Sequence, residues 1–138
     1  MPLDLFAENI LDHYRNPRNK GFIENPDIVA GDSNPLCGDV IDFQLKFNGN
    51  KIFEARFQGS GCAISQASAS MLAEKIEGMP LEQAKCLSAR NVFELLGIEV
   101  SGQRAKCALL PLWVLRKAIS EKLGEKLERV SVLGEDGW

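Results

Sequence analysis

Hydrophobic and polar positions alternate with a period near two in the middle of the chain. Residues 40–47 place most apolar side chains at odd positions, and residues 51–58 follow a similar pattern. Such alternation is typical of strands with one buried face. Asn48 and Gly49 lie between the two runs and favour a tight hairpin turn. Together with a short strand near residues 28–30, the pattern predicts a three-stranded antiparallel sheet with one solvent-facing side.

Helical spacing of apolar residues appears on both sides of this central region. A run from Ala63 is rich in small side chains and ends at Gly78, where a helix stop is expected. Other helices are expected to begin after a capping or turn-forming residue, at Asp4, Pro80 and Ser88. We therefore predict helices at residues 5–15, 63–77, 81–86, 89–96 and 108–123.

The chain has the size and composition of one folded domain. It contains 138 residues, of which 45% are hydrophobic and 25% charged, so we expect a single domain over residues 1–138 with 124–138 as a C-terminal extension. The formal net charge of −3 does not favour nucleic acid as a partner. No stretch has the length and apolar content of a membrane span or a secretory signal. We therefore expect a cytoplasmic protein that has no membrane partner.

Cysteines are the main candidates for chemistry. The chain has four, and none forms a C-x-x-C pair, so a shared site has to be assembled by the fold. Cys62 follows a glycine and begins a predicted helix, where unpaired N–H groups stabilise a thiolate. Cys107 also precedes a predicted helix and has Arg104 and Lys106 as basic neighbours. Cys86 lies inside a predicted helix, and we expect it to be buried and inert.

A polar loop at residues 31–39 carries Cys37 and Asp39. It precedes the first hairpin strand, and Cys62 follows the second, so the hairpin is expected to bring both loops to one end of the sheet. Three sulfurs and one carboxylate, with Cys107 as the third thiol, suit Zn²⁺ or iron in an iron–sulfur cluster. Such thiolates also accept sulfur from a persulfide by exchange. His13, the single histidine, is expected to be packed rather than to bind metal.

Three motifs resemble those of a known family. They are PLCGD at residues 35–39, GSGCAIS at 59–65 followed by ASAS, and RAKC at 104–107. In order and position they resemble the cysteine motifs of the IscU/NifU-type iron–sulfur cluster assembly scaffolds. Lys106 stands where IscU-type members have a histidine, which is more similar to the SufU branch. The insertion of that branch between the second and third motifs is absent here.

The resemblance implies an α+β fold of the SufE/NifU-like type, with helices packed on one face of the small sheet. It also implies that Cys37, Asp39, Cys62 and Cys107 hold a transient [2Fe–2S] or [4Fe–4S] cluster, or Zn²⁺ at the same ligands. Asp39 would keep the cluster labile. A cysteine desulfurase would supply sulfur, with Cys107 or Cys37 as the persulfide acceptor, and recipient apo iron–sulfur proteins would take the finished cluster.

Three interpretations of the function follow. In the first, the protein is a non-enzymatic scaffold on which a cluster is assembled and then transferred. In the second, it is a zinc-dependent sulfurtransferase of the SufU kind, which accepts persulfide sulfur from the desulfurase. In the third, the metal is a structural zinc ion whose removal unfolds the domain. In each case we expect a monomer or a weak homo-oligomer.

Overall fold

The structure is a computed structural model that describes residues 2–34, 38–98 and 102–127. Within these ranges the chain forms three strands and five helices, which confirms the predicted α+β class. In chain order they are α1 (Pro2–Arg15), β1 (Ile28–Asn34), β2 (Asp39–Asn48), β3 (Lys51–Ser60), α2 (Ala63–Ile76), α3 (Leu81–Ala84), α4 (Ala89–Leu96) and α5 (Gln103–Leu123).

The three strands form one antiparallel sheet in the order β1-β2-β3. Along β2 the side chains of Ile41, Phe43 and Leu45 are fully buried, whereas those of Val40 and Asp42 are exposed. The alternation arises because successive side chains of a strand point to opposite faces of the sheet. The predicted half-buried strand is therefore confirmed.

Two details of the sheet differ from the prediction. The β2–β3 turn consists of Gly49 and Asn50, one position later than expected, and Gly49 has the left-handed φ of +62° that this turn requires. β1 continues to Asn34, because its polar residues pair with β2 as far as Asp39. Pairing uses backbone N–H and C=O groups, so a strand continues where the apolar pattern has stopped.

The helices pack on the inner face of the sheet, with α2 at the centre. This helix contacts α1, α4 and α5 as well as β3. The inner-face residues Phe43 and Phe57 belong to the same core cluster as Leu72 of α2 and Leu110 of α5. Small side chains along α2, such as the fully buried Ala69, leave room for its neighbours on several sides.

Helix ends agree with the prediction in part. Ser88 caps α4 by accepting a hydrogen bond from the N–H of Asn91, and Gly97 ends this helix in the left-handed conformation. In contrast, α1 begins two residues before Asp4, so Asp4 is inside the helix and does not cap it. α3 ends at Ala84 and is shorter than predicted.

The last described helix, α5, ends at Gly124, which has a φ of +68°. The predicted C-terminal extension continues into residues 128–138, which lie outside the described part of the chain, so its extent stays a prediction. None of the described helices is both long enough and apolar enough to cross a membrane.

Candidate metal centre

One end of the sheet brings together residues that are distant in the sequence. β2 begins at Asp39, while β3 ends at Ser60 and is followed by Gly61 and by Cys62. Because Val40 pairs with Ser60 in the antiparallel ladder, Asp39 lies beside Gly61. The hairpin therefore delivers Asp39 and Cys62 to the same end of the sheet.

Asp39 is fully buried, and its two carboxylate oxygens have different surroundings. Oδ1 accepts hydrogen bonds from the backbone N–H of Cys62 at 2.9 Å and from the hydroxyl of Ser65 at 3.1 Å. Oδ2 is also buried, yet no hydrogen-bond donor from the described residues reaches it. A buried carboxylate oxygen without a donor is unfavourable unless a cation binds it. Asp39 Oδ2 is thus suited to bind a metal ion.

Gly61 makes room for this carboxylate. Its φ is +140°, a backbone conformation that L side chains rarely adopt. A Cβ atom at this position would lie 2.2 Å from Asp39 Oδ1 and 2.8 Å from Asp39 Cα. The sequence suggested that the glycines around Cys62 open the backbone to a ligand. At Gly61 the group that uses the space is the Asp39 carboxylate, so the glycine sets the position of a candidate ligand.

Cys62 is the N-cap residue of α2, as the sequence predicted. It has extended backbone angles (φ −71°, ψ 162°), and its Sγ accepts a hydrogen bond from the backbone N–H of Ser65 at 3.4 Å. The side chain is half-buried. An N–H donor and the positive end of the helix dipole both favour a negatively charged sulfur at this position.

Cys107 reaches the site from α5. This helix begins at Gln103, so Cys107 lies one turn inside it and the predicted start at residue 108 is wrong. Pro111 lacks an N–H for the carbonyl of Cys107, but the helix continues through it. The hydroxyl of Ser68 donates to the carbonyl of Ala108 at 2.8 Å, which ties α2 to α5 next to Cys107. The Cys107 side chain is only 3% exposed.

The side chains of Asp39, Cys62 and Cys107 converge. One ligand atom of each, a carboxylate oxygen or a sulfur, lies within 4.8 Å of those of the other two. Ligands of a tetrahedral zinc ion lie about 2.0–2.3 Å from the metal and hence about 3.5 Å from one another. Small side-chain movements would therefore place all three around one ion. Cys37, the fourth predicted ligand, lies outside the described residues.

The donor chemistry of this group fits a thiophilic metal. A carboxylate and two thiolates at this spacing repel one another, and burial makes each charge harder to solvate. A bound cation compensates for both effects. Two sulfurs with one oxygen favour zinc or iron over magnesium or calcium, which prefer oxygen ligands only. The described residues of this group would therefore bind such a metal through two sulfurs and one carboxylate oxygen.

Two other candidate residues lie outside this group. Cys86 is exposed, so the prediction that it is buried is wrong. α3 ends two residues before it, and the chain there buries Ala84 and Leu87 instead. His13 is buried, and its Nδ1 lies 2.8 Å from the hydroxyl oxygen of Ser70, so the expectation that it is packed is confirmed. Burial, followed by the positive charge of Arg18, lowers the pKa of His13.

Sequence reasoning missed the polar residues that support the group from α2. Ser65 is fully buried and Gln66 is 5% exposed, and the amide Nε2 of Gln66 lies 3.2 Å from the hydroxyl of Ser65. The signal that was available is a run of polar residues, at positions 65, 66, 68 and 70, inside a helix that is otherwise apolar. Buried polar side chains in one helix imply hydrogen-bonding partners, although the sequence does not say which.

Comparisons with known proteins agree with this geometry. The family model described as the NifU-like N terminal domain matches residues 5–128. The zinc-dependent sulfurtransferase SufU of Bacillus subtilis (strain 168) is 37% identical, and the match covers 87% of this chain and 92% of that protein. The iron–sulfur cluster assembly scaffold protein IscU 1 of Archaeoglobus fulgidus is 34% identical, with 94% and 86% covered.

A solved structure is similar as well. The crystal structure of a putative iron–sulfur cluster assembly scaffold protein for the SUF system, from Fervidobacterium islandicum AW-1, matches with a TM-score of 0.69 at 32% identity. The match covers 81% of this chain and 94% of that one. The sequence and the fold thus lead to the same relatives.

Proposed function

Because this chain belongs to the NifU-like N terminal domain family, we propose that it is a scaffold for iron–sulfur cluster assembly. The family membership confirms the resemblance that the three cysteine motifs indicated. In this proposal the chain receives sulfur from a cysteine desulfurase, holds a cluster for a short time and transfers it to apo iron–sulfur proteins. The cluster is cargo, and Cys37, Asp39, Cys62 and Cys107 are its proposed ligands.

The observation that carries this proposal is the convergence of Asp39, Cys62 and Cys107 within 4.8 Å at one end of the sheet. Thiolates are the usual ligands of iron–sulfur clusters, and a carboxylate is a harder, weaker partner for such iron. One oxygen ligand among sulfurs therefore suits a cluster that has to leave. A site built for permanent electron transfer usually has four cysteines.

Sulfur would arrive as the outer sulfur of a persulfide on the desulfurase. A thiolate of the scaffold attacks that sulfur, a new S–S bond forms on the scaffold, and the desulfurase cysteine leaves as a thiolate, with no net oxidation or reduction. Cys107 and Cys37 remain the proposed acceptors. Since Cys107 is only 3% exposed, its role as acceptor requires local opening around α5.

A second function is favoured by the similarity to a zinc-dependent sulfurtransferase. In this alternative Zn²⁺ occupies the same ligands and the protein relays sulfur without building a cluster. Zinc is tetrahedral with sulfur and oxygen ligands and has no redox chemistry, so it fits the group found here. For either function we expect the cytoplasm as the location, because its reducing conditions keep thiols free.

Anaerobic reconstitution separates the two functions. The purified chain is incubated with a cysteine desulfurase, cysteine, ferrous iron and a dithiol that reduces persulfide sulfur to sulfide. A visible-absorbing cluster that moves to an apo-ferredoxin supports the scaffold. Faster desulfurase turnover with zinc retained and no cluster supports the relay. If neither appears, both proposals are wrong.

A matched pair of variants shows whether the described site is responsible. Cys62→Ser removes one of the converging sulfurs, whereas Cys86→Ser removes an exposed thiol outside the group. We expect cluster formation or zinc retention to be lost only in Cys62→Ser. The structural-zinc interpretation instead predicts that Cys107→Ser unfolds the domain, so a folded but inactive Cys107→Ser would contradict it.

A further inference from the structure

We propose that Ser65 is a positioning residue that restricts Asp39 to binding the metal through a single oxygen, Oδ2. The inference rests on the proposed metal centre. It concerns a residue that contacts no metal itself and acts only through Asp39. Its consequence is that the strength and lability of the oxygen ligand are set from inside α2.

The hydrogen bonds of Ser65 direct its proton towards Asp39. The hydroxyl oxygen lies 3.1 Å from Asp39 Oδ1 and 3.1 Å from the carbonyl oxygen of Cys62. The amide of Gln66 donates to the same hydroxyl oxygen at 3.2 Å, so the hydroxyl accepts from one side and donates to the other. A hydroxyl has one proton, and a charged acceptor binds it more strongly than a neutral one. The carboxylate is therefore the preferred acceptor.

The two oxygens of Asp39 are thereby made unequal. Oδ1 has two donors, the hydroxyl of Ser65 and the N–H of Cys62, while Oδ2 has none among the residues that the structure describes. Binding of Oδ1 to a metal would compete with both donors. Oδ2 meets no such competition, so the carboxylate binds through one oxygen. Donors that orient a ligand in this way affect metal affinity nearly as much as the ligand itself.

Ser68 is the matched control on the same helix. It is 1% exposed, and its hydroxyl donates to the carbonyl of Ala108 at 2.8 Å. Ser65→Ala and Ser68→Ala therefore each remove one buried hydroxyl and one hydrogen bond from α2. Only the first removes a donor to Asp39. A general effect of disturbing the helix would appear in both variants.

The first test is metal binding, with Zn²⁺ and Co²⁺ as probes. Zinc affinity is measured by competition with a chromophoric chelator, and the melting temperature of each metal-free variant is measured alongside. We expect Ser65→Ala to bind zinc about 10–100-fold more weakly than the parent, and Ser68→Ala to bind it as the parent does. In the cobalt form of Ser65→Ala the visible d–d bands weaken, because the released Oδ1 becomes a fifth ligand.

The second test is a double-mutant cycle with Asp39→Ala. If Ser65 acts through Asp39, then Ser65→Ala has no further effect on zinc affinity once the carboxylate is gone. Unchanged affinity in Ser65→Ala, an equal loss in Ser68→Ala, or a loss that persists in the Asp39→Ala background would overturn the inference. If the parent chain itself binds neither metal, the proposed function fails, and this inference fails with it.

Discussion

The contact between Gly61 and Asp39 leads to a prediction that can be worked out from the coordinates. In Gly61→Ala the new Cβ would lie 2.2 Å from Asp39 Oδ1 and 2.8 Å from Asp39 Cα, where atoms closer than 3.0 Å essentially never occur. Turning the side chain relieves only the first overlap. The second involves the backbone of β2, so the hairpin and the α2 entrance have to separate, by up to about 1 Å for the carboxylate.

The magnitude has two parts. An L residue held at a φ of +140° is strained by about 1–3 kcal/mol. Overlap in a packed site adds about 1–3 kcal/mol more. The sum of about 2–6 kcal/mol is a large share of the 5–15 kcal/mol by which domains are usually stable. Most of the molecules remain folded, but Asp39 no longer lies where its Oδ2 meets the two sulfurs.

Gly21→Ala is a closely matched control. Gly21 has a φ of +151°, and a Cβ there meets nothing within 4 Å, so this variant has the backbone strain without the overlap. Urea unfolding of the metal-free proteins and zinc competition are measured for both. We expect Gly61→Ala to lose more stability than Gly21→Ala and to be the only one with weakened zinc affinity. Equal losses of stability with normal zinc affinity in both would refute the reasoning.

Three further predictions concern other residues. Asp39→Asn keeps an oxygen for the two donors but removes the buried charge, so calorimetry of the metal-free protein should show no loss of stability while zinc affinity falls. The pKa of His13 is lowered mainly by burial, so its contribution to stability is complete above its ordinary pKa of 6.5 and is lost as the pH falls through the lower folded value. Urea unfolding at about pH 7 and about pH 5 should therefore show a smaller acid loss in His13→Gln, and an identical loss would contradict this. Iodoacetamide labelling followed by mass spectrometry should modify the exposed Cys86 first, the half-buried Cys62 next and the buried Cys107 last, with zinc protecting Cys62 but not Cys86; early labelling of Cys107 would show that α5 opens readily.

Elements with a strong local signal were predicted well. The alternation along β2, the cap at Ser88 and the stop at Gly97 each depend on neighbours within a few residues, and the structure has them where expected. Cys62 at the entrance of α2 belongs with these, because a glycine turn followed by a helix pattern identifies it locally. In all of these cases the physical cause lies within one turn or one strand.

Features that depend on distant partners were predicted poorly. Cys107 lies inside α5 because packing against α2 extends the helix before it, and Cys86 is exposed because α3 ends early. β1 is longer than its apolar residues suggest, since backbone pairing with β2 supports it. None of these causes is visible in the nearby sequence.

The sequence alone determined the strand and helix order, the side of each strand that is buried and the identity of the candidate ligands, because these follow from side-chain periodicity and chemistry. Only the tertiary structure decided that one oxygen of Asp39 is held by Cys62 and Ser65 while the other is left to a metal, and that Gly61 gives this carboxylate its space. The reason is that such contacts join residues from separate loops, and their distances are fixed by how β2, β3 and α2 pack together.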